Sequence, residues 1–255
     1  PMKIHVLYNT LQVIGIAYVT TALVMLIPSR AVQVAIPIAM AAAMGLIVHL
    51  CGHGDYSQTG NFAYRFDRIF WGLFLPANQH SLQPNGYYSY LLPQLACNAL
   101  TMCGYECARL LKDGRKPWAK AGVLLALAAA LFVSAWLVSF KVPVIKHIYS
   151  ASFSLLVAGW IIVALAVLYV VTDIWRFRRG TGIVLLWGQC ALFAYFMSHV
   201  FPGSYWSVSE KCLQGLPRLV SDARLVTVLN AVGAMVVLTF FMAVWRLFRQ
   251  ARKGW

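Results

Sequence analysis

Two polar segments carry the side chains best suited to chemistry. In NFAYRFDRIFWG, Asn61, Asp67 and Arg68 bring a carboxamide, a carboxylate and a guanidinium into one short run, and in PVIKHIYSASF a proline is followed by Lys146, Ser150 and Ser152. Such a set suits a sugar, whose hydroxyls need hydrogen-bond partners and whose ring faces pack on aromatics such as Trp71 or Tyr149. The same residues also fit a plainer arrangement, a loop ion pair with serine helix caps, and composition leaves both readings open.

The histidines are the next candidates. His147 and His199 lie near the ends of apolar runs, where an imidazole that titrates near neutrality can carry a proton; hydrogen bonding at an interface would equally account for either. These two are the candidate catalytic residues. His49 and His53 have the four-residue spacing that puts two ligands on one helical face, but Gly52 and Gly54 interrupt a helix there. No HExxH motif or second ligand pair follows, so no metal or haem is expected. Cys51, Cys97, Cys103, Cys107, Cys190 and Cys212 form no CxxC pair and read as apolar packing residues. Gln12, Gln94, Asn98, Gln189 and Asn230 fall inside apolar runs, where each is either functional or bonded to a neighbouring helix. Glu106, three residues before Arg109, reads as the partner of that cation.

The elements that position these residues follow from composition. Of 255 residues 61% are hydrophobic and 11% charged, far below the roughly 25% charge of an ordinary soluble domain. Residues 153–171 contain no charge, about the length that crosses the hydrocarbon of a bilayer as a helix. Comparable apolar runs occupy residues 5–27, 32–50, 88–111, 118–140, 183–201 and 225–247. The expected fold is therefore all-α, a multi-pass transmembrane bundle of about seven spans in a single domain. Residues 51–87 and 202–224 form two polar loops, the first interrupted at 69–75 by an apolar piece too short to span.

Arginine and lysine gather on the cytoplasmic side of spans. Arg30, the Arg109 to Lys120 cluster, the Arg176 to Arg179 cluster and the tail from Arg246 to Lys253 fall on one side of the alternation. Asp55, Asp67, Glu210 and Asp222 fall on the other. This predicts both long loops outside and a cytoplasmic C-terminus, in a bacterial inner membrane. The net charge of +14 lies in short clusters beside apolar runs, which suits topology and anionic lipid headgroups and excludes a continuous nucleic-acid face. No signal-peptide pattern opens the chain, and Pro1-Met2-Lys3 leads almost directly into an apolar run, as expected of a piece of a longer protein.

Several motifs together resemble the heparan-alpha-glucosaminide N-acetyltransferase family and its bacterial relatives. They are Leu11-Gln12 with Tyr18, Asp67-Arg68 with Gly72, Gly104 through Arg109, Pro143 with Lys146 and Ser150 to Ser152, Asp173, and Gly188 with Tyr195. They occur in family order and cover nearly the whole chain. The resemblance implies a membrane-embedded acyltransferase that moves an acetyl group from cytoplasmic acetyl-CoA to a glucosamine-type amine or similar glycan outside. It implies acetyl-CoA as co-substrate, with Arg109, Lys112, Arg176 and Arg179 near its phosphates and Asn61, Asp67, Arg68, Lys146, Ser150 and Ser152 near the acceptor. Where the family has Arg, Asn, Trp and Asn, this chain has Val13, Ile145, Tyr149 and Cys190, which implies a divergent branch with an altered substrate. The family's N-terminal helices, with their Arg-Gly motif and outward-facing catalytic His, have no counterpart after Pro1. The implied partners are the bilayer and the glycan acceptor, with homo-oligomerisation left open; a non-enzymatic solute carrier or complex subunit is the alternative.

Overall fold

The computed structural model describes residues 10–57, 60–74, 91–200, 203–215 and 222–251. No strand occurs among them, so the fold is all-α. The chain forms two compact units, Pro1–Arg176 and Phe177–Trp255.

The first unit contains α1 (Thr10–Met25), α2 (Arg30–Cys51), α3 (Phe62–Phe74), α4 (Pro93–Lys112), α5 (Pro117–Ser139) and α6 (Ala151–Tyr169), the last continued by a π-helical turn at Val170–Ile174. Local chemistry sets several boundaries. Pro93 and Pro117 open α4 and α5, where the missing N–H of proline costs nothing because first-turn amides have no helical acceptor. Ser150 caps α6 by accepting the Phe153 N–H. Pro37 lies inside α2, and with no N–H to donate it leaves the Gln33 carbonyl without its usual helical partner.

Short connections make successive long helices antiparallel, and side-chain contacts show the same directions. The end of α2 meets the start of α4 in a cluster of Met44, Val48, Leu92 and Ala96, joined by Ala63 of α3 and Ile148. Toward the other end, Cys107 of α4 packs with Leu124 and Ala128 of α5 and Ile162 and Ala166 of α6. Small residues allow close approach: a Cβ on Gly159 would stand 2.7 Å from the Phe132 ring, and one on Gly45 would stand 2.9 Å from Ala151 Cβ. In lipid, where apolar burial between helices gains little, such close packing and interhelical hydrogen bonds hold a bundle together.

Helix α4 is the exception in composition. Its buried residues include Gln94 and Asn98 beside Ala96, Ala99, Met102 and Cys107, and it packs against α1, α2, α5 and α6. A polar helix avoids lipid by taking the interior position. Helix α4 thus touches four other helices of the unit, while α5 and α6 turn large apolar side chains outward.

Residues 69–74 of the expected apolar piece lie in α3, whose thirteen residues are too few to span; residue 75 lies outside the described residues. Ala63 and Asp67 are buried, while Arg65, Arg68, Ile69 and Leu73 are exposed. An exposed face mixing arginine with branched aliphatics suits the membrane interface.

The second unit contains α7 (Thr181–Gln189), α8 (Ala191–Val200), α9 (Ser204–Cys212) and α10 (Ala223–Ala251). The continuous helix expected over 183–201 is interrupted at Cys190 (φ −109°), whose thiol lies 3.9 Å from the Met242 carbonyl of α10. Leu186, Cys190, Ala194, Leu238 and Met242 form this unit's core, flanked by Phe193 stacked on Trp245 at 4.9 Å. Helix α9 is held to α10 by Ser209 Oγ–H donating to the Asn230 carbonyl at 2.9 Å.

Among the described residues four helical stretches are long and apolar enough to cross a membrane, Arg30–Cys51, Pro117–Ser139, Ala151–Ile174 and Arg224–Phe248, with a shorter apolar helix at Leu11–Met25. Trp136, Trp160, Ile161 and Leu168 project outward from α5 and α6 with more than half their surface uncovered. A soluble protein would not leave so many large apolar side chains bare; this is an integral membrane protein. The starts of the first and third expected spans, at His5 and Tyr88, lie outside the described residues.

Candidate functional site

The two polar segments singled out in sequence meet at one end of the first unit. Their meeting point is the cluster around Ala63, Leu92 and Ile148, against which Tyr56, Phe62, Phe66, Ile145 and Tyr149 also pack. The polar residues around it divide into those committed to holding the backbone and those that remain outward.

Asn61 is committed. Its Oδ1 accepts the Tyr64 N–H at 2.8 Å and its Nδ2 donates to the Ser57 carbonyl at 2.8 Å, so it caps α3 and fixes the preceding loop. Ser150 and Ser152 are committed as well. Ser150 Oγ–H donates to the Pro143 carbonyl at 2.8 Å while Ser150 Oγ accepts the Ile145 N–H at 3.0 Å. Ser152 Oγ–H donates to the same Pro143 carbonyl at 3.0 Å. Both serines are buried, and together they close the 143–150 loop over the start of α6.

Asp67 is fully buried, 0% exposed, and its Oδ1 accepts the Leu91 N–H at 3.3 Å. A carboxylate placed just before the first turn of α4 is favoured by that helix's positive end. Arg68 and Lys146 are exposed, as is His147. No ion pair among the described residues joins Lys146 to Asp67. The segments therefore come together, with Asp67 inside and Arg68 and Lys146 at the rim. The side chains of Trp71 and His199 lie outside the described residues.

Nearby, the His49 and Tyr56 side chains form a pair that the sequence did not suggest. His49 Nδ1 lies 3.0 Å from the Tyr56 hydroxyl, and burial pushes the Tyr56 phenol above its ordinary pKa. The loop between them uses two successive left-handed residues, His53 (φ 49°) and Gly54 (φ 76°). That reversal turns the chain back over the end of α2, and it separates His53 from any helical face shared with His49. Among the described residues no group of three or more His, Cys, Asp or Glu side chains is arranged to hold a metal ion.

The opposite end of the same unit holds the basic candidates. Arg109 Nη1 donates to Gln33 Oε1 at 2.9 Å, lies 3.5 Å from Glu106 Oε1, and its guanidinium stands 5.9 Å over the Tyr105 ring. Gln33 Nε2 in turn donates to the carbonyls of Ile27 at 2.8 Å and Met25 at 3.2 Å. Arg30 reaches Glu106 at 3.5 Å, so Glu106 is the ionic partner its spacing suggested. Lys112 and Arg176 are exposed; Arg176 is left-handed (φ 56°) at the end of the first unit. Arg179 belongs to the second unit and is exposed.

Between the two ends runs one face of α4. Gln94, Asn98, Thr101, Tyr105 and Arg109 recur at three- and four-residue steps, which puts them on a single side of the helix. Gln94 Nε2 donates to Asn98 Oδ1 at 2.7 Å and to the Val13 carbonyl of α1 at 3.1 Å. Gln94 Oε1 is buried with no hydrogen-bond partner among the described residues. Gln94 and Asn98 were legible as polar residues in an apolar run, whereas Gln33 was missed, and the joint direction of this face needed the helix boundaries. Among family models, curated proteins and solved structures, none matches the chain. The class of protein defined by its fold is a helical integral membrane protein.

Proposed function

We propose that this chain is the scaffold part of a membrane-embedded acyltransferase related to the heparan-alpha-glucosaminide N-acetyltransferases. The observation that carries this reading is the separation of two polar ends within one apolar unit: Asp67, Arg68 and Lys146 at one, Arg109 at the other, with the polar face of α4 between them. An acetyl donor with a phosphate-rich head and an amine acceptor approaching from the other side of a bilayer would need this layout. Arg109, oriented by Gln33 and Tyr105, suits a phosphate oxygen, and Lys112 and Arg176 of the same unit add positive potential. Acetyl-CoA supplies the thioester. Asp67 and the rim cations Arg68 and Lys146 orient the acceptor. The amine proton goes to a histidine, for which His147 and His199 are the candidates in this chain. The membrane is a bacterial inner membrane, with Arg109 facing the cytoplasm.

The test is transfer of radiolabelled acetyl from acetyl-CoA to glucosamine by the protein in proteoliposomes. Label in N-acetylglucosamine, lost in Asp67→Asn with the fold intact, supports the reading, and its absence with correctly inserted protein overturns it. The interruption at Cys190 favours one other reading, a solute carrier, because discontinuous helices line many transport sites. Uptake of a labelled sugar by the same vesicles without acetylation would select that alternative.

A further inference from the structure

We propose that the turn between α4 and α5 is a docking surface for anionic phospholipid headgroups. The turn reads Lys112-Asp113-Gly114-Arg115-Lys116-Pro117-Trp118, and part of its charge is consumed internally. Arg115 Nε lies 3.0 Å from Asp113 Oδ2, while Asp113 Oδ1 accepts the Gly114 N–H at 2.7 Å. Lys120 is buried, and its ammonium donates to the Leu111 carbonyl at 2.7 Å, closing the end of α4.

Lys112 and Lys116 are not neutralised within the turn, and Lys112 can serve a headgroup as well as the potential proposed above for a phosphate-bearing donor. Both lysines are exposed, and among the described residues no carboxylate lies within ion-pair distance of either. Beside them Trp118, the second residue of α5, leaves 61% of its surface uncovered.

Their placement points to a bilayer surface. Helix α5 is one of the membrane-length apolar helices, so its first turn stands where the chain enters hydrocarbon. An indole at that level sits at the boundary between acyl chains and headgroups, and lysines just beyond it reach the phosphates. A soluble acidic partner would meet the lysines but leave the indole unexplained. Arg30 adds less, because Glu106 already offsets it. The proposal goes beyond acetyl transfer and does not depend on it.

The experiment uses the full-length protein in neutral micelles, with dioleoylphosphatidylglycerol and dioleoylphosphatidylcholine as probes and retained lipid read by native mass spectrometry. The wild type should retain phosphatidylglycerol preferentially. Lys112→Gln and Lys116→Gln should each lower that preference about five-fold, with Lys→Arg at both positions restoring it. Trp118→Ala should weaken retention of both lipids. Lys141→Gln, at the far end of α5, should change nothing. Melting in phosphatidylcholine confirms that the variants are folded. An unchanged preference in the double glutamine variant overturns the proposal, as does an equal loss in Lys141→Gln. Displacement of the lipid by water-soluble glycerophosphoglycerol at comparable concentration would also overturn it, by marking a site for free phosphate esters.

Discussion

Replacing Ser150 with alanine separates a binding role from a structural one. The hydroxyl accepts the Ile145 N–H at 3.0 Å and the Phe153 N–H at 3.4 Å, and donates to the Pro143 carbonyl at 2.8 Å. After Ser150→Ala, Pro143 keeps its bond from Ser152, but the Ile145 and Phe153 amides lose their acceptor. Loss of an N-cap costs about 1 kcal/mol, and a half-buried amide left unpaired adds about 1–3 kcal/mol. The expected loss is thus about 2–4 kcal/mol, a fall of several degrees in melting temperature. Ser150→Thr retains the hydroxyl but adds a methyl where the residue is only 1% exposed, so it should fall between the two. The assay is thermal unfolding in one detergent, alongside acetyl transfer per folded molecule. A Ser150→Ala protein that melts like the wild type yet loses transfer would refute the reasoning, since the hydroxyl would then be serving a ligand.

Four further outcomes are expected. Arg109→Met should destabilise the unit by about 1–3 kcal/mol, because Gln33 Oε1 loses its donor; unchanged melting would show that the α1–α2 turn is held by other bonds. Gly159→Val should be worse than Gly159→Ala, by about 1–3 kcal/mol for overpacking, since even one Cβ would stand 2.7 Å from Phe132; equal stability of the two variants would sink the close-packing account. The Ser57 backbone N–H, 2.8 Å from Asp55 Oδ1, holds that carboxyl below its usual pKa. Its contribution to the loop is present above the unfolded value near about 4 and is lost as pH falls through the depressed folded value. Protection of the Ser57 amide against hydrogen exchange, taken relative to the intrinsic rate at each pH, should fall over that window, and Asp55→Asn should flatten the pH dependence. Finally, an impermeant thiol reagent on intact cells should label Ser207→Cys and spare Gly114→Cys; the reverse pattern would invert the orientation.

Much of the architecture was legible because bilayer crossing imposes a long apolar run, and α2, α5, α6 and α10 each have one. Helix α4 was legible only as a span; its central position follows from polar residues whose common face depends on where the helix starts. The interruption at Cys190 has no proline to announce it, and glycine follows neither α7 nor α8 directly. For the site, sequence brought Asp67 and Lys146 to the same end but gave no depth. Burial of the carboxylate and exposure of the ammonium depend on α3 turning its Ala63–Asp67 side inward. The serines were ambiguous between ligand and cap because one hydroxyl serves either purpose. Only the position of the Pro143 carbonyl distinguishes them. The His49–Tyr56 pair escaped notice because two left-handed residues between them reverse the chain, and such a reversal leaves no period to read.

The proline inside α2 has a mechanical consequence. Force along a helix is carried by its backbone hydrogen bonds, and Pro37 removes the link that should reach the Gln33 carbonyl. Ahead of that gap, Arg30 and Gln33 are fastened sideways, to Glu106 and Arg109 of α4 and to the Met25 and Ile27 carbonyls. Behind it, Met44 and Val48 are fastened to α3, α4 and the 143–150 loop. Helix α2 is thus anchored on both sides of one missing backbone bond: its first turn is tied to Glu106 and Arg109 of α4, and its far end packs against Ala63, Leu92 and Ile148.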